Sequence, residues 1–283
     1  MYSKTIAGEE ETKQERCVPE DKANAVKLSN IAEDLLKLQE AFNQSDSVFL
    51  NTPGRKVFRL EDVVFKFGRD VEAVEAATLR YMAEETNIPV PGLYRDCIHS
   101  DGTVVIAMEY VEGRILSDLW LDLRHDMKMN ICGQLRYILE EMRCLQRDVI
   151  GGIGSNPAVD TRKSTLKGGP FYTERQFNEF LRSDLKAPKT FRLMLEETMK
   201  ENHNIVLAHG DISPRNIVVN DGQIVAILDW ECAGWYPEYW DFVKFFNALD
   251  PELDWSDYDE EIFPKRYSLE KIIDNFLDLF SPH

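Results

Sequence analysis

The amino-acid sequence predicts an α+β protein in two lobes, a small β-rich N-terminal lobe with one key helix and a larger, mostly helical C-terminal lobe. Three observations carry this expectation. Short β-branched and aromatic runs crowd residues 47–109 around a single helical pattern, three- and four-residue apolar periodicities dominate after residue 126, and one strong hairpin signal interrupts the second half. The division expected is a leader at 1–22, an N-terminal lobe at 23–110 and a C-terminal lobe at 111–283.

Residues 1–22 are polar and charged, with little to bury, which predicts a loose leader. From Asn24 to Phe42, Leu28, Ile31, Leu35, Leu38 and Phe42 recur at helical spacing, which predicts one amphipathic helix. Ser47 to Leu50, Lys56 to Leu60 and Val63 to Phe67 read as strands, and alternation in the third puts Val64 and Lys66 on one face. The turn between the first two, Asn51-Thr52-Pro53-Gly54, carries a single glycine. Asp70 to Glu85 reads as a helix capped by Asp70, with Val71, Val74, Thr78 and Met82 on one face. Glu72 and Glu75 lie three apart and point in similar directions, so one of them should pair with Lys66. Ile88-Pro89-Val90-Pro91 ends this helix, because a proline biases its predecessor away from helix. Leu93 to Cys97 and Thr103 to Glu109 form a hairpin around Ser100-Asp101-Gly102.

In the second half, Asp126 to Gln146 predicts a helix burying Met127, Ile131, Leu135, Ile138, Met142 and Leu145. Gly151-Gly152-Ile153-Gly154 follows a helix and opens none, so it reads as a loop rather than a nucleotide motif. The turn at Gly168-Gly169-Pro170 leads into a helix from Thr173 to Asp184. His203 has no second His or Cys at metal spacing and reads as a surface histidine. An acidic tract from Asp250 to Glu261 precedes a last amphipathic helix carrying Leu269, Ile272, Ile273, Phe276 and Phe280.

A formal charge of −17 over 283 residues argues against a nucleic-acid partner, since phosphate backbones require clustered Lys and Arg. Such acidity favours a cationic small molecule, or simply keeps the surface hydrated. Cys17, Cys97, Cys132, Cys144 and Cys232 form no C-x-x-C pair, the pattern of reduced thiols in the cytosol. Glu9, Glu10 and Glu11 stand where a signal peptide needs an apolar core, and no run of about 18 apolar residues occurs. A cytoplasmic protein without a membrane partner is therefore expected.

The most informative stretch is Leu207 to Asp241, LAHGDISPRNIVVNDGQIVAILDWECAGWYPEYWD. Ile217-Val218-Val219 and Ile224 to Leu228 are apolar runs about the turn signal Asn220-Asp221-Gly222. Folding this hairpin sets Asn216 opposite Asp229 at its open end, an amide oxygen beside a carboxylate, both hard ligands suited to Mg²⁺. Asp211 precedes the hairpin, displaced from the metal pair, where a carboxylate can orient an attacking hydroxyl.

His209-Gly210-Asp211, with Asn216 five positions after the Asp and Ile227-Leu228-Asp229-Trp230-Glu231 beyond it, resembles the aminoglycoside phosphotransferase and choline kinase families, small-molecule relatives of the protein kinases. Pro89-Val90-Pro91 and Gly169 to Glu174 resemble family features too, the latter those of fungal members. The resemblance implies a protein-kinase-like fold and an ATP- and Mg²⁺-dependent enzyme. It implies that Lys66 holds nucleotide phosphates, that Glu75 rather than Glu72 braces Lys66, and that the backbone at Glu109 and Val111 meets the adenine. It makes Asp211 the catalytic base, Asn216 and Asp229 the metal ligands, and His209 and Asp241 supporting residues of the loop. Trp235, Tyr236, Tyr239 and Trp240 read as core rather than a substrate cage, and the acidic tract as a solvated face unless it holds a cationic alcohol. A protein kinase would insert a longer activation loop with an A-P-E anchor, and neither is present. The function expected is phosphoryl transfer to a hydroxyl of a small molecule. The glycine-poor turn motivates the alternative of a nucleotide-binding pseudokinase acting as scaffold or regulator.

Overall fold

The computed structural model describes residues 23–162, 165–247 and 250–282, so the leader expected at 1–22 lies outside it. The first half holds α1 (Ala23–Ser29), α2 (Leu35–Gln44), β1 (Val48–Asn51), β2 (Lys56–Leu60), β3 (Val63–Gly68), α3 (Val74–Glu85), β4 (Leu93–Ile98) and β5 (Val104–Glu109). The five strands form one antiparallel sheet in the order β1-β2-β3-β5-β4. Alternation divides its two faces. Phe58, Phe65, Phe67, Val105 and Ala107 bury against Leu38 and Phe42 of α2, whereas Val104, Ile106 and Met108 belong to the core shared with α3 and the second lobe.

Two helices depart from expectation. The single helix read from Asn24 to Phe42 is broken, with a 3₁₀ turn at Asn30–Glu33 and Asp34 in extended conformation capping α2 through its side chain to the N–H groups of Leu36 and Lys37. Its apolar periodicity survives the break because both pieces lie on the same sheet face. The helix expected from Asp70 begins at Val74 instead, and Asp70 is not its cap. The Asp70 N–H donates to Gly54 O at 2.9 Å, which ties this turn to the β1–β2 turn.

The second lobe continues with β6 (Arg114–Ile115), α4 (His125–Cys144), β7 (Gly151–Gly152), β8 (Ala158–Asp160), β9 (Leu166–Gly168), α5 (Glu174–Leu181), α6 (Lys189–Thr198), β10 (Ile205–Ala208), β11 (Ile217–Asn220), β12 (Gln223–Ile227), β13 (Gly234–Pro237), α7 (Trp240–Phe245), α8 (Asp259–Ile262) and α9 (Ser268–Phe280). The molecule is thus bilobal and α+β. On α4, Ile131, Leu135, Ile138 and Met142 are buried, but Met127 is exposed one turn too early to meet the core. Gly151 and Gly152, read as loop, make a short strand paired with β13, and α6 has no counterpart in the sequence reading. The aromatic cluster is core, with Trp235, Tyr236, Tyr239 and Trp240 all buried. Tyr236 and Trp240 stack at 4.8 Å and Tyr236 Oη accepts the Val159 N–H at 2.8 Å. His203 is no surface residue. Its side chain is 7% exposed, its Nδ1 lies 2.6 Å from Glu174 Oε1, and its ring packs edge-on against Tyr239. Part of the acidic tract is neutralised locally, since Asp254 binds Lys128 and Trp120 while Asp259 and Glu260 pair with Arg266. Among the described residues, no helix is long and apolar enough to cross a membrane.

Candidate active site

Lys66 lies on β3, between Val57 of β2 and Ile106 of β5, so the strands on both sides fix its backbone. Its side chain turns to the interlobe face, 7% exposed, where Nζ stands 2.6 Å from Glu75 Oε2, 2.7 Å from Asp229 Oδ1 and 3.2 Å from Glu231 Oε2. The partner on α3 is Glu75; Glu72 pairs with Lys167 at 2.6 Å instead. Burial opposes the Lys66 charge, but Glu75, Asp229 and Glu231 outweigh it and hold the ammonium's pKa above the usual lysine range. Burial pushes the Glu75 carboxyl up to about 7, against the pull of Lys66. Burial also opposes the Asp229 charge, yet Lys66 prevails and keeps that carboxyl below its ordinary value.

The loop after β10 carries His209, Gly210 and Asp211. Gly210 adopts φ +82°, and a Cβ there would stand 2.8 Å from Cys232 O, so glycine is required twice over. Asp241, on the first turn of α7, accepts the Gly210 N–H at 2.8 Å and the His209 N–H at 3.3 Å. Burial raises its pKa, and these N–H donors act in the opposite direction. His209 is wholly buried. Its Nδ1 faces the Asp211 N–H at 3.2 Å, so that nitrogen must accept, and Nε2 then carries the proton and donates to Leu228 O at 2.9 Å. A neutral imidazole therefore couples the loop to the strand that delivers Asp229. The Asp211 carboxylate lies within 2.8 Å of Arg215 Nη2 through both oxygens, and Asn216 Nδ2 donates to its Oδ2 at 2.9 Å.

The β11–β12 hairpin pairs Ile217 with Ile227, and the Leu228 N–H donates to Asn216 O at 2.8 Å, so Asn216 and Asp229 meet at its open end. Because the Asn216 amide nitrogen is committed to Asp211, its Oδ1 is the atom left for a cation. Asp229 takes φ +63°, a left-handed conformation that departs from the strand direction. Carboxylate oxygens of Glu75, Asp229 and Glu231 lie within 4.8 Å of one another. Asp229 and Asn216 Oδ1, at the open end of the hairpin, offer hard oxygen donors, the chemistry Mg²⁺ prefers.

Lys66, Glu75, Asn216 and Asp229 floor a cleft of about 490 Å³ between the lobes. Val57, Val64, Met108, Val218 and Leu228 line it with apolar surface, and Glu109, Tyr110 and Val111 lie along the crossing between lobes. The Glu109 N–H donates to Gly92 O at 2.8 Å and its side chain accepts the Gly92 N–H at 3.1 Å. Lys66, Glu75, Glu109, Val111, Asn216 and Asp229 all line this cleft, and Asp211 joins it through Asn216. Sequence reasoning missed Arg55, Glu231 and Arg215. Glu231 was signalled by its position two residues after Asp229. Arg55 followed the lone glycine of the β1–β2 turn, and Arg215 stood four residues after Asp211.

A two-lobed molecule with an apolar interlobe cleft floored by a Lys–Glu pair and a carboxylate–amide hairpin belongs to the kinase-like phosphotransferases by fold. More narrowly, residues 43–263 match the model of the phosphotransferase enzyme family, and the chain belongs to that family. Phosphoryl transfer is the class of activity that this membership supports. Solved structures agree on the fold. The streptomycin–ATP ternary complex of APH(2")-IIa superposes with a TM-score of 0.56 at 14% identity, over 87% of this chain and 86% of that one. The GDP complex of aminoglycoside 2'-phosphotransferase-IIIa gives 0.56 at 15%, covering 87% of both chains. Aminoglycoside phosphotransferase APH(4)-Ia gives 0.57 at 16%, over 90% and 88%. No curated protein sequence matches the chain.

Proposed function

We propose that this chain is an ATP- and Mg²⁺-dependent O-phosphotransferase that transfers the γ-phosphate to a hydroxyl of a small molecule. The observation that carries the reading is convergence: Lys66, Glu75, Asn216 and Asp229, drawn from β3, α3 and both ends of one hairpin, meet in a single cleft with Asp211 beside them. Residues 23–110 serve as the nucleotide-binding lobe and 111–283 supply the catalytic loop and acceptor pocket. Lys66, held by Glu75, binds the α and β phosphates, and the backbone at Glu109 and Val111 receives the adenine. Asn216 and Asp229 hold Mg²⁺, which when bound would offset the charge of the phosphates. Asp211 orients the acceptor hydroxyl and takes its proton. His209 and Asp241 keep the loop in the conformation that presents Asp211.

The acceptor we favour is a cationic alcohol, consistent with the −17 charge and with the streptomycin and hygromycin B present in complexes of similar folds. The free thiols fit action in the reducing cytosol. A pseudokinase would be under no requirement to keep the base, the metal pair and the lysine together. The test is Mg²⁺-dependent ATP consumption against a panel of aminoglycosides, amino alcohols and sugars. Stimulation by an acceptor should fall about 10²–10⁴-fold in kcat in Asp211→Asn, with nucleotide affinity nearly unchanged. Near-normal turnover in that variant removes Asp211 as the base, and failure of the wild type to bind ATP with Mg²⁺ removes the enzyme reading.

A further inference from the structure

The β1–β2 turn has one glycine, and it does not face the cleft. A Cβ on Gly54 would stand 1.7 Å from Asp70 Oδ2, and Gly54 O accepts the Asp70 N–H at 2.9 Å, so its backbone is packed inward. What the turn presents to the cleft is the next side chain, Arg55. The turn holds this residue firmly. The Thr52 N–H and hydroxyl both donate to Arg55 O at 2.9 Å, and the Arg55 N–H donates to Thr52 Oγ1 at 3.1 Å. The guanidinium crosses to the other lobe, with Nη2 2.9 Å from Glu231 Oε2 and 2.7 Å from Asp70 O.

Glu231 Oε2 is also 3.2 Å from Lys66 Nζ. One carboxylate oxygen is therefore shared by Lys66 and Arg55, so this oxygen marks a position where both can hold an anion. We propose that Arg55 is a phosphate-binding residue, which grips with a side chain the terminal phosphates that a glycine-rich loop would hold with backbone N–H groups, and that Glu231 occupies this anion position until nucleotide displaces it. This rests on the nucleotide-dependent reading above and assigns to it a residue which that reading did not use. A planar fork suits the task, because two parallel N–H groups match adjacent phosphate oxygens. Charge balance points the same way. Glu75 and Asp229 pair with Lys66, and Glu231 pairs with both Lys66 and Arg55, so a polyphosphate entering beside these carboxylates meets both cations.

Binding of ATP and of adenosine to wild type, Arg55→Ala and Arg55→Lys tests the assignment, with melting temperature as the folding control. Arg55→Ala should weaken ATP about 10–100-fold, the value of one charge-assisted bidentate contact, and leave adenosine within about twofold of wild type. Arg55→Lys keeps the charge without the fork and should fall between; it carries the test if the alanine variant does not fold. Wild-type ATP affinity in a folded Arg55→Ala protein overturns the proposal. Glu231→Gln, measured without divalent cation, separates a grip from an interlobe latch. It should bind ATP at least as well as wild type, whereas a loss matching Arg55→Ala would mean that the ion pair is merely structural. If wild type binds neither ATP nor adenosine, the nucleotide reading itself falls and takes this one with it, a result distinct from selective loss in the variants.

Discussion

Lys66→Met isolates the electrostatics on which the interlobe cleft depends. The ammonium is 7% exposed and touches three carboxylates, of which Glu75 is 3% exposed, Glu231 19% and Asp229 31%. Removing it leaves Glu75 without its counter-ion away from water, while the other two keep some solvent. Loss of one partner of a buried pair costs about 3–5 kcal/mol, here expected as a fall in melting temperature of roughly 6–20 °C at pH 8. The pH dependence has a definite sign. Burial already raises Glu75 from 4.5 to about 7, and loss of Lys66 raises it further. The folded variant then retains a proton that the unfolded chain releases near 4.5, so its stability declines as pH climbs through that window and beyond 7. Urea denaturation at pH 5 and pH 8 should show a much smaller deficit at pH 5. Lys66→Met/Glu75→Gln should recover most of the loss at pH 8, because the stranded charge is gone. A deficit below about 1 kcal/mol at pH 8, or one equal at both pH values, would refute the reasoning.

Two further outcomes follow from local geometry. Gly210→Ala places a methyl 2.8 Å from Cys232 O at φ +82°, so it should lose about 1–3 kcal/mol in chemical denaturation and reduce turnover through displacement of Asp211; retention of full stability would show that the loop relaxes freely. Alkylation followed by peptide mapping should label exposed Cys144 well before Cys132 and Cys232, whose thiols burial pushes up to about 12, and equal rates would contradict the packing around those two.

Much of this molecule was legible in the sequence because local chemistry dictated it. Period-two runs specified the sheet strands, the Asn220-Asp221-Gly222 turn specified the hairpin, and that hairpin's geometry forced Asn216 towards Asp229. Boundaries were less secure where a competing hydrogen bond intervened. Asp34 caps α2 inside what periodicity reads as one helix, and Asp70 is tied to Gly54 rather than heading α3. The segment of α6 gave no reading, and the burial of His203 between Glu174 and Glu270 joins elements far apart in the chain. The resemblance chose Glu75 over Glu72, and the structure supplies the reason: α3 begins at Val74, so Glu75 stands in its first turn against Lys66, whereas Glu72 precedes the helix and pairs with Lys167. Above all, residue types and spacing named the lysine, base and metal pair, but only the closure of two lobes set Arg55 against Glu231 across 176 positions. Spacing along a chain carries information over a few turns of backbone; a contact between a turn in one lobe and a loop in the other is decided by how their cores pack.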